Sequence, residues 1–376
     1  MSFFYFTNDI YCLITALILW YAIFVIMKKE FTKGQGAVEN IHNRFFKNRY
    51  ETSIYQDDYE DDIAKTQILE VFPKTIVNKV KGNSLPFLYS VNPYQGCEHG
   101  CAYCYARPTH QYWGFSAGVD FERIILVKKN TLELLEQFFL KRGYKASTIQ
   151  LSGNTDCYQP LERKLEITRK ILQLCLDYRH PVSIITKNAL ILRDLDILKQ
   201  LAAKNLVNVS LSIPTINEDL RRVLEPRTSS VKTKLKALQT LAENNIPTHV
   251  MVAPIIPGLN SMEILPILKI ISENGANSFG YTLVGLNDEV EPVFKDWLET
   301  HYPDRKEKVL NQIASLHKGN LAEKNIAKRN TGNGSFADMI HKTFDIGRKK
   351  FFSQSKFPAL STDLFDGTKG EQLRLF

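Results

Sequence analysis

Asn92-Pro-Tyr-Gln-Gly-Cys-Glu-His-Gly-Cys-Ala-Tyr-Cys-Tyr105 carries three cysteines, Cys97, Cys101 and Cys104, within eight residues. Their spacing is C-x3-C-x2-C, and no fourth cysteine is near. Thiolates so close together on a Gly-rich loop can converge on one soft metal centre, and iron–sulfur clusters are the usual occupant. A four-iron cluster held by three thiolates leaves one iron without a protein ligand, free to bind a small molecule. Zinc is the main alternative. Structural zinc prefers four protein ligands and paired knuckles, whereas here His99 would have to fold back between two ligands and no second knuckle exists. A disulfide framework fails on count, because the six cysteines (12, 97, 101, 104, 157 and 175) are scattered along a chain that is not small.

Outward from this loop the pattern alternates. Apolar runs of strand type occur at 87–91, 147–151, 182–186, 207–213, 248–253 and 278–284. Most are separated by segments with helical spacing. Asn130 with Glu133 predicts a capping-box start for a helix ending near Arg142, and Asn260 with Glu263 predicts another. A further helix is expected over 161–178, with Ile167, Ile171, Leu174, Cys175 and Tyr178 on one stripe. Strands alternating with helices predict an α/β fold with a parallel sheet and right-handed crossovers. Six such units suit a partial (β/α)6 barrel of TIM type better than a full eight-fold one. Chemistry in such sheets sits at the carboxyl ends of the strands. The cysteine loop, Ser152-Gly-Asn-Thr-Asp156, and Lys187 all fall there.

These residues resemble the radical SAM superfamily. The fuller set resembles its spore-photolyase-like, "DNA repair photolyase" branch: Asn92–Cys97, Tyr105-Ala-Arg-Pro-Thr-His110, Thr155-Asp-Cys-Tyr-Gln-Pro-Leu-Glu162, Ile185-Thr-Lys187 and Leu224-Glu-Pro-Arg-Thr228. The resemblance covers roughly 34–376 and implies a 4Fe–4S cluster on Cys97, Cys101 and Cys104. It also implies S-adenosylmethionine as the second cofactor, cleaved reductively to a 5′-deoxyadenosyl radical that abstracts hydrogen from a substrate the sequence does not identify. Tyr103 is then expected near the adenine. Gly153, Thr155 and Asp156 stand where relatives carry a Gly-Gly-Glu motif contacting the methionine amino group; the departure from that motif leaves the exact partner open. Lys187 and Arg227 are candidates for the cofactor's carboxylate, with Glu225 as the alternative partner of Arg227. Cys157, beside Asp156, is a candidate hydrogen-atom donor, against the plainer reading of a small core residue. His99, His110 and Tyr105 flank the loop. A reducing partner such as flavodoxin or ferredoxin is implied.

The rest of the chain sets bounds. Its 376 residues divide into an apolar leader (1–27), a polar N-terminal extension (28–85), the barrel core (86–285) and a basic, α-rich C-terminal segment (286–376). Residues 10–27 carry no formal charge and are long enough as a helix to cross a bilayer. Lys28 and Lys29 would then hold the remainder in the cytoplasm. A start at Met27 is the competing reading, and either one places the catalytic part in a reducing compartment. The net charge is +8, of which residues 303–356 contribute twelve basic against five acidic side chains. Such a region suits a polyanion or a solvated face. Three functions are therefore open: a cytoplasmic radical SAM enzyme, a DNA-lesion repair lyase of spore-photolyase type, and a non-catalytic, membrane-tethered iron–sulfur or zinc protein.

Overall fold

The structure is a computed structural model that describes residues 34–37, 40–41, 66–80, 87–354 and 357–368. The apolar run 10–27 lies outside the described residues, and among those described no helix is long and apolar enough to cross a membrane. Among the described residues ten strands occur, in chain order: β1 (Gln67–Val71), β2 (Val77–Lys79), β3 (Tyr89–Val91), β4 (Tyr94–Gln95), β5 (Ile124–Lys128), β6 (Ile149–Leu151), β7 (Val182–Thr186), β8 (Val207–Ser212), β9 (Thr248–Ile255) and β10 (Ser278–Leu283).

Seven of them form one sheet in the order β10-β9-β8-β7-β6-β3-β2. Every pairing from β3 to β10 is parallel and only the edge strand β2 runs antiparallel. This is the six-stranded partial barrel that the alternating pattern predicts. Alternation is clearest in β7, where Val182, Ile184 and Thr186 are buried, while Ser183 and Ile185 face the other way. The first set joins the main core, where α2 (Ile167–Asp177), α3 (Leu195–Ala202), α5 (Val231–Glu243) and α6 (Ile264–Glu273) cover the sheet. The second face is polar: register aligns Gln150, Ser183 and Asn208, and Ser183 Oγ donates to Asn208 Oδ1 at 2.6 Å. A parallel sheet buried on both faces would read as continuous apolar runs, so the polar row marks a face turned to a solvent- or ligand-filled interior.

The elements differ from expectation in four places. β1 of the N-terminal extension joins β5 and β4 in a second, three-stranded sheet that the alternating pattern does not predict. The helix expected over 161–178 is broken at Glu166, whose φ of +52° ends a short first turn before α2 begins. α1 (Thr131–Phe139) lacks the expected capping box, because the Asn130 amide is drawn away to donate to the Pro73 carbonyl. Asn260 and Glu263 are likewise engaged across the fold: Asn260 Nδ2 donates to the carbonyls of Pro214 and Pro254, and Glu263 accepts from Thr215 and the Ile216 amide. In each case a long-range partner outcompetes the local cap.

α4 (Glu218–Leu224) precedes α5, and the C-terminal part contributes α7 (Val290–His301), α8 (Lys306–Leu316), α9 (Ile326–Thr331) and α10 (Ser335–Phe351). α7 and most of α8 pack apart from the main core, which takes only Leu316 from α8. Their Val290, Phe294, Trp297, Val309 and Ile313 pack with Leu220, Leu224, Cys101, Ala102 and Tyr103 in a second core. The cysteine loop is thus clamped from outside the barrel. The last described segment crosses the opposite edge. Ser361 N donates to the Asn205 carbonyl just before β8 and Asp366 N to the Tyr178 carbonyl just before β7. Phe365 lies edge-on to Tyr144 and His180.

Candidate functional site

The cysteine loop is held on all sides by polar contacts. Antiparallel pairing of Tyr94 with Val127 and Gln95 with Leu126 fixes its entry. The segment after β6 then zips along it: Asn92 Oδ1 accepts from the Asn154 and Thr155 amides, Thr155 Oγ1 donates to the Tyr94 carbonyl at 2.9 Å, and Gln159 Oε1 accepts from Glu98 N. Gly100 turns the loop with φ +65°, and Gly36 lies so close behind it that a Cβ there would stand 1.7 Å from the Gly100 carbonyl oxygen. Only glycine fits such an approach. Glu122, fully buried, accepts from the Gly36 and Ala37 amides and pairs with Arg107, whose guanidinium also donates to the Cys101 carbonyl.

Two buried ion groups flank the thiols. On one side Asp156 accepts from Thr186 Oγ1, Lys187 N and Tyr158 N, each at 2.8 Å, and faces His99 Nδ1 at 3.3 Å. Burial disfavours the imidazolium, but the Asp156 carboxylate and the Cys97 sulfur outweigh it and push His99 up to about 10. Burial opposes the carboxylate equally, and His99 wins, holding Asp156 below its ordinary value. On the other side Glu225, with no exposed surface, accepts from Lys234 Nζ at 2.8 Å and from the Tyr103 hydroxyl, and lies 3.3 Å from Lys187 Nζ. Against its burial, the two lysines depress Glu225 to about 2. Lys187 also donates to Ser212 Oγ at 2.6 Å and sits 5.7 Å from the Tyr103 ring centroid.

The residues singled out from sequence are brought together, though several are already engaged. Tyr103 and Lys187 meet through Glu225. Asp156 spends its oxygens on backbone, Thr186 and His99, and Thr155 on the loop. The Gly153 carbonyl accepts from the exposed Tyr105 hydroxyl. Arg227 is paired not with Glu225, the alternative weighed in the sequence, but loosely with Glu98, 3.9 Å away, while its amide donates to the His99 carbonyl. Cys157 has no exposed surface and lies in the main core, where burial drives its thiol well above the ordinary value. That placement gives no support to a hydrogen-atom donor. Glu122 and Lys234 were missed. Lys234 carried a signal: it falls on the buried stripe of α5 with Val231, Leu238 and Leu241, and a lysine there needs a buried carboxylate.

The donor set fits an iron–sulfur cluster. Cys97, Cys101 and Cys104 act electrostatically on one another; burial pushes Cys101 and Cys104 up, and Lys187, with Arg107 at Cys104, works the other way. Among the described residues no three His, Cys, Asp or Glu side chains are gathered as for a single metal ion. Thiolates on separate corners of a cubane stand further apart than the ligands of one ion.

The profile of the Radical SAM superfamily matches residues 91–271. An uncharacterized protein of Mycobacterium tuberculosis is 32% identical over 241 residues, which cover 62% of this chain and 70% of that one. One of Methanocaldococcus jannaschii is 31% identical over 251 residues, covering 67% and 90%. Among solved structures, spore photoproduct lyase superposes with a TM-score of 0.53 at 15% identity over 76% of this chain and 79% of its own.

Proposed function

This chain belongs to the radical SAM superfamily, and we propose that Cys97, Cys101 and Cys104 hold its cluster for hydrogen abstraction from a substrate in the half-barrel. A 4Fe–4S cluster and S-adenosylmethionine are the cofactors of the superfamily, and when bound they supply a 5′-deoxyadenosyl radical. The observation that carries this reading is the placement of all three thiols on one glycine-turned loop at the carboxyl edge of the parallel sheet, beside the half-buried Lys187. The polypeptide's own work is positional. Glu122, Arg107 and Gly36 hold the loop's backbone. Glu225 orients Tyr103 and Lys187, leaving the ammonium group beside the thiols to favour their ionised form and to meet an anionic cofactor group. Asp156 and Thr155 set the neighbouring segment, so their contribution to cofactor binding passes through the backbone they fix. The polar row Gln150, Ser183 and Asn208 excludes an entirely apolar interior. In the domain layout we propose, 86–285 forms the reaction core and 286–376 the C-terminal segment, whose α7 and α8 clamp the cysteine loop.

The test is anaerobic reconstitution with iron and sulfide, then dithionite and S-adenosylmethionine. Four irons per chain, an electron-spin signal altered by S-adenosylmethionine, and 5′-deoxyadenosine as product are expected. One zinc per chain, or no 5′-deoxyadenosine, would defeat the reading.

A second reading is favoured by one observation. α9 brings Lys328 and Arg329 to the carboxyl end of β10, with the Arg329 stem against Gly285 and its charge felt by the exposed Tyr105. A cation beside an exposed aromatic suits a nucleic acid, and the fold neighbour in crystal form binds a dinucleoside spore photoproduct. Repair of a DNA lesion predicts binding that falls steeply between low and moderate salt. A flat response counts against it.

A further inference from the structure

Outside the cysteine loop is an open hollow of about 410 Å³ lined by Arg163, Lys164 and Arg227 with Asn188, Thr228 and Ser229. No carboxylate lines it. Arg163 and Lys164 are exposed and make no ion pair among the described residues, and the contact of Arg227 with Glu98 is loose at 3.9 Å. The hollow backs directly onto the loop. Asn188 Nδ2 lies 3.4 Å from His99 Nε2, the Arg227 amide donates to the His99 carbonyl, and Leu161 N, between Pro160 and the two cations, donates to Glu98 Oε2 at 2.6 Å. Glu98 and His99 lie, with Gly100, between Cys97 and Cys101.

We propose that this hollow is the docking surface for a small acidic protein that carries one electron at a time. The inference rests on the radical SAM reading, which requires an electron from outside to start S-adenosylmethionine cleavage. The carrier loses one electron; the sulfonium of S-adenosylmethionine takes it up as one C–S bond breaks, giving methionine and the 5′-deoxyadenosyl radical, so no further oxidant is needed. Electron-transfer encounters are small and short-lived, and exposed, unpaired cations steer an acidic partner without holding it tightly. One carboxylate of a small cofactor would not need three cations. Through the Glu98 carboxylate and the His99 ring and carbonyl, the hollow reaches the loop that carries Cys97 and Cys101.

The test compares the full-length wild type with Arg163→Glu/Lys164→Glu. Binding of oxidised flavodoxin is measured by calorimetry at low and moderate salt, and 5′-deoxyadenosine formation is measured with reduced flavodoxin and, separately, with dithionite. The expected result is salt-sensitive flavodoxin binding, weakened at least about tenfold in the double variant together with the flavodoxin-driven rate, and an unchanged dithionite-driven rate. Unchanged flavodoxin affinity in the variant would overturn the proposal. Dithionite- and flavodoxin-driven rates falling together would also overturn it, assigning the hollow to cofactor or substrate. So would an affinity for single-stranded DNA lost in the variant while flavodoxin binding persists. Failure of the wild type to form 5′-deoxyadenosine with dithionite would bring down the enzyme reading itself, and the docking proposal with it.

Discussion

The two edges of the parallel sheet are finished in opposite ways. At the carboxyl edge, buried charge accumulates: Glu225 with Lys234 and Lys187, Asp156 with His99, and Glu122 with Arg107. At the amino edge, backbone hydrogen bonds and aromatic rings close the barrel, Phe365 lying within 5.3–5.9 Å of the rings of His180, Tyr144 and Phe139. Burying charges is costly and replacing a buried ion pair by apolar groups is often neutral or stabilising. The ionic edge is therefore explained by what it must hold in place, and the aromatic edge by stability alone.

The sharpest break of that contrast is Cys101→Ala. It should abolish the cluster and 5′-deoxyadenosine formation while leaving the far-ultraviolet circular dichroism unchanged; a variant that still yields 5′-deoxyadenosine contradicts the assignment. Cys97→Ala and Cys104→Ala should behave alike. Glu225→Gln comes next, since it leaves the buried ammonium group of Lys234 and the half-buried one of Lys187 without their carboxylate. A loss of about 3–5 kcal/mol in urea unfolding is expected, with impaired cluster loading. Phe365→Ala, at the other edge, should cost about 2–3 kcal/mol, below the usual loss for a fully buried phenylalanine, and should leave the cluster's spectrum intact. If it altered that spectrum, the edges would not be separable. Gly36→Ala forces a methyl group onto the Gly100 carbonyl and should cost about 1–3 kcal/mol, with lowered iron content that Phe365→Ala does not show.

The smallest effect is a pH dependence. Glu225 ionises at about 2 in the folded chain instead of the ordinary 4.5. A depressed carboxylate contributes stability that is present above its unfolded value and lost as pH falls through the folded one. The wild type should thus hold its full advantage over Glu225→Gln above about pH 4.5 and lose it progressively toward pH 2. A gap between the two melting temperatures that stays constant across that window would refute the charge assignment.

Much of this was legible in the chain. The strand at Val182–Thr186 is legible as a β-branched run, and the six parallel strands follow from the repeated strand–helix spacing. The cysteine triad needed only three close thiols. Partners were harder to read. Arg227 lies two residues from Glu225, yet pairs with Glu98, because Glu225 is already taken by Lys234 and Lys187. Asp156 had the chemistry for a cofactor amine, but three hydrogen-bond donors and an imidazole reach it first. Cys157 stands beside the rim in sequence and inside the core in space.

By itself, the sequence determined the sheet, the order of its crossovers and the loop that carries the thiols, because periodicity and short-range spacing are local properties of a chain. Which carboxylate meets which cation was decided only by tertiary structure. Glu122 reaches Gly36 across 86 residues and Tyr103 reaches Glu225 across 122. Such pairings are selected by the cost of leaving any one of these charges buried and unmatched, a cost that exists only once the chain has closed around them.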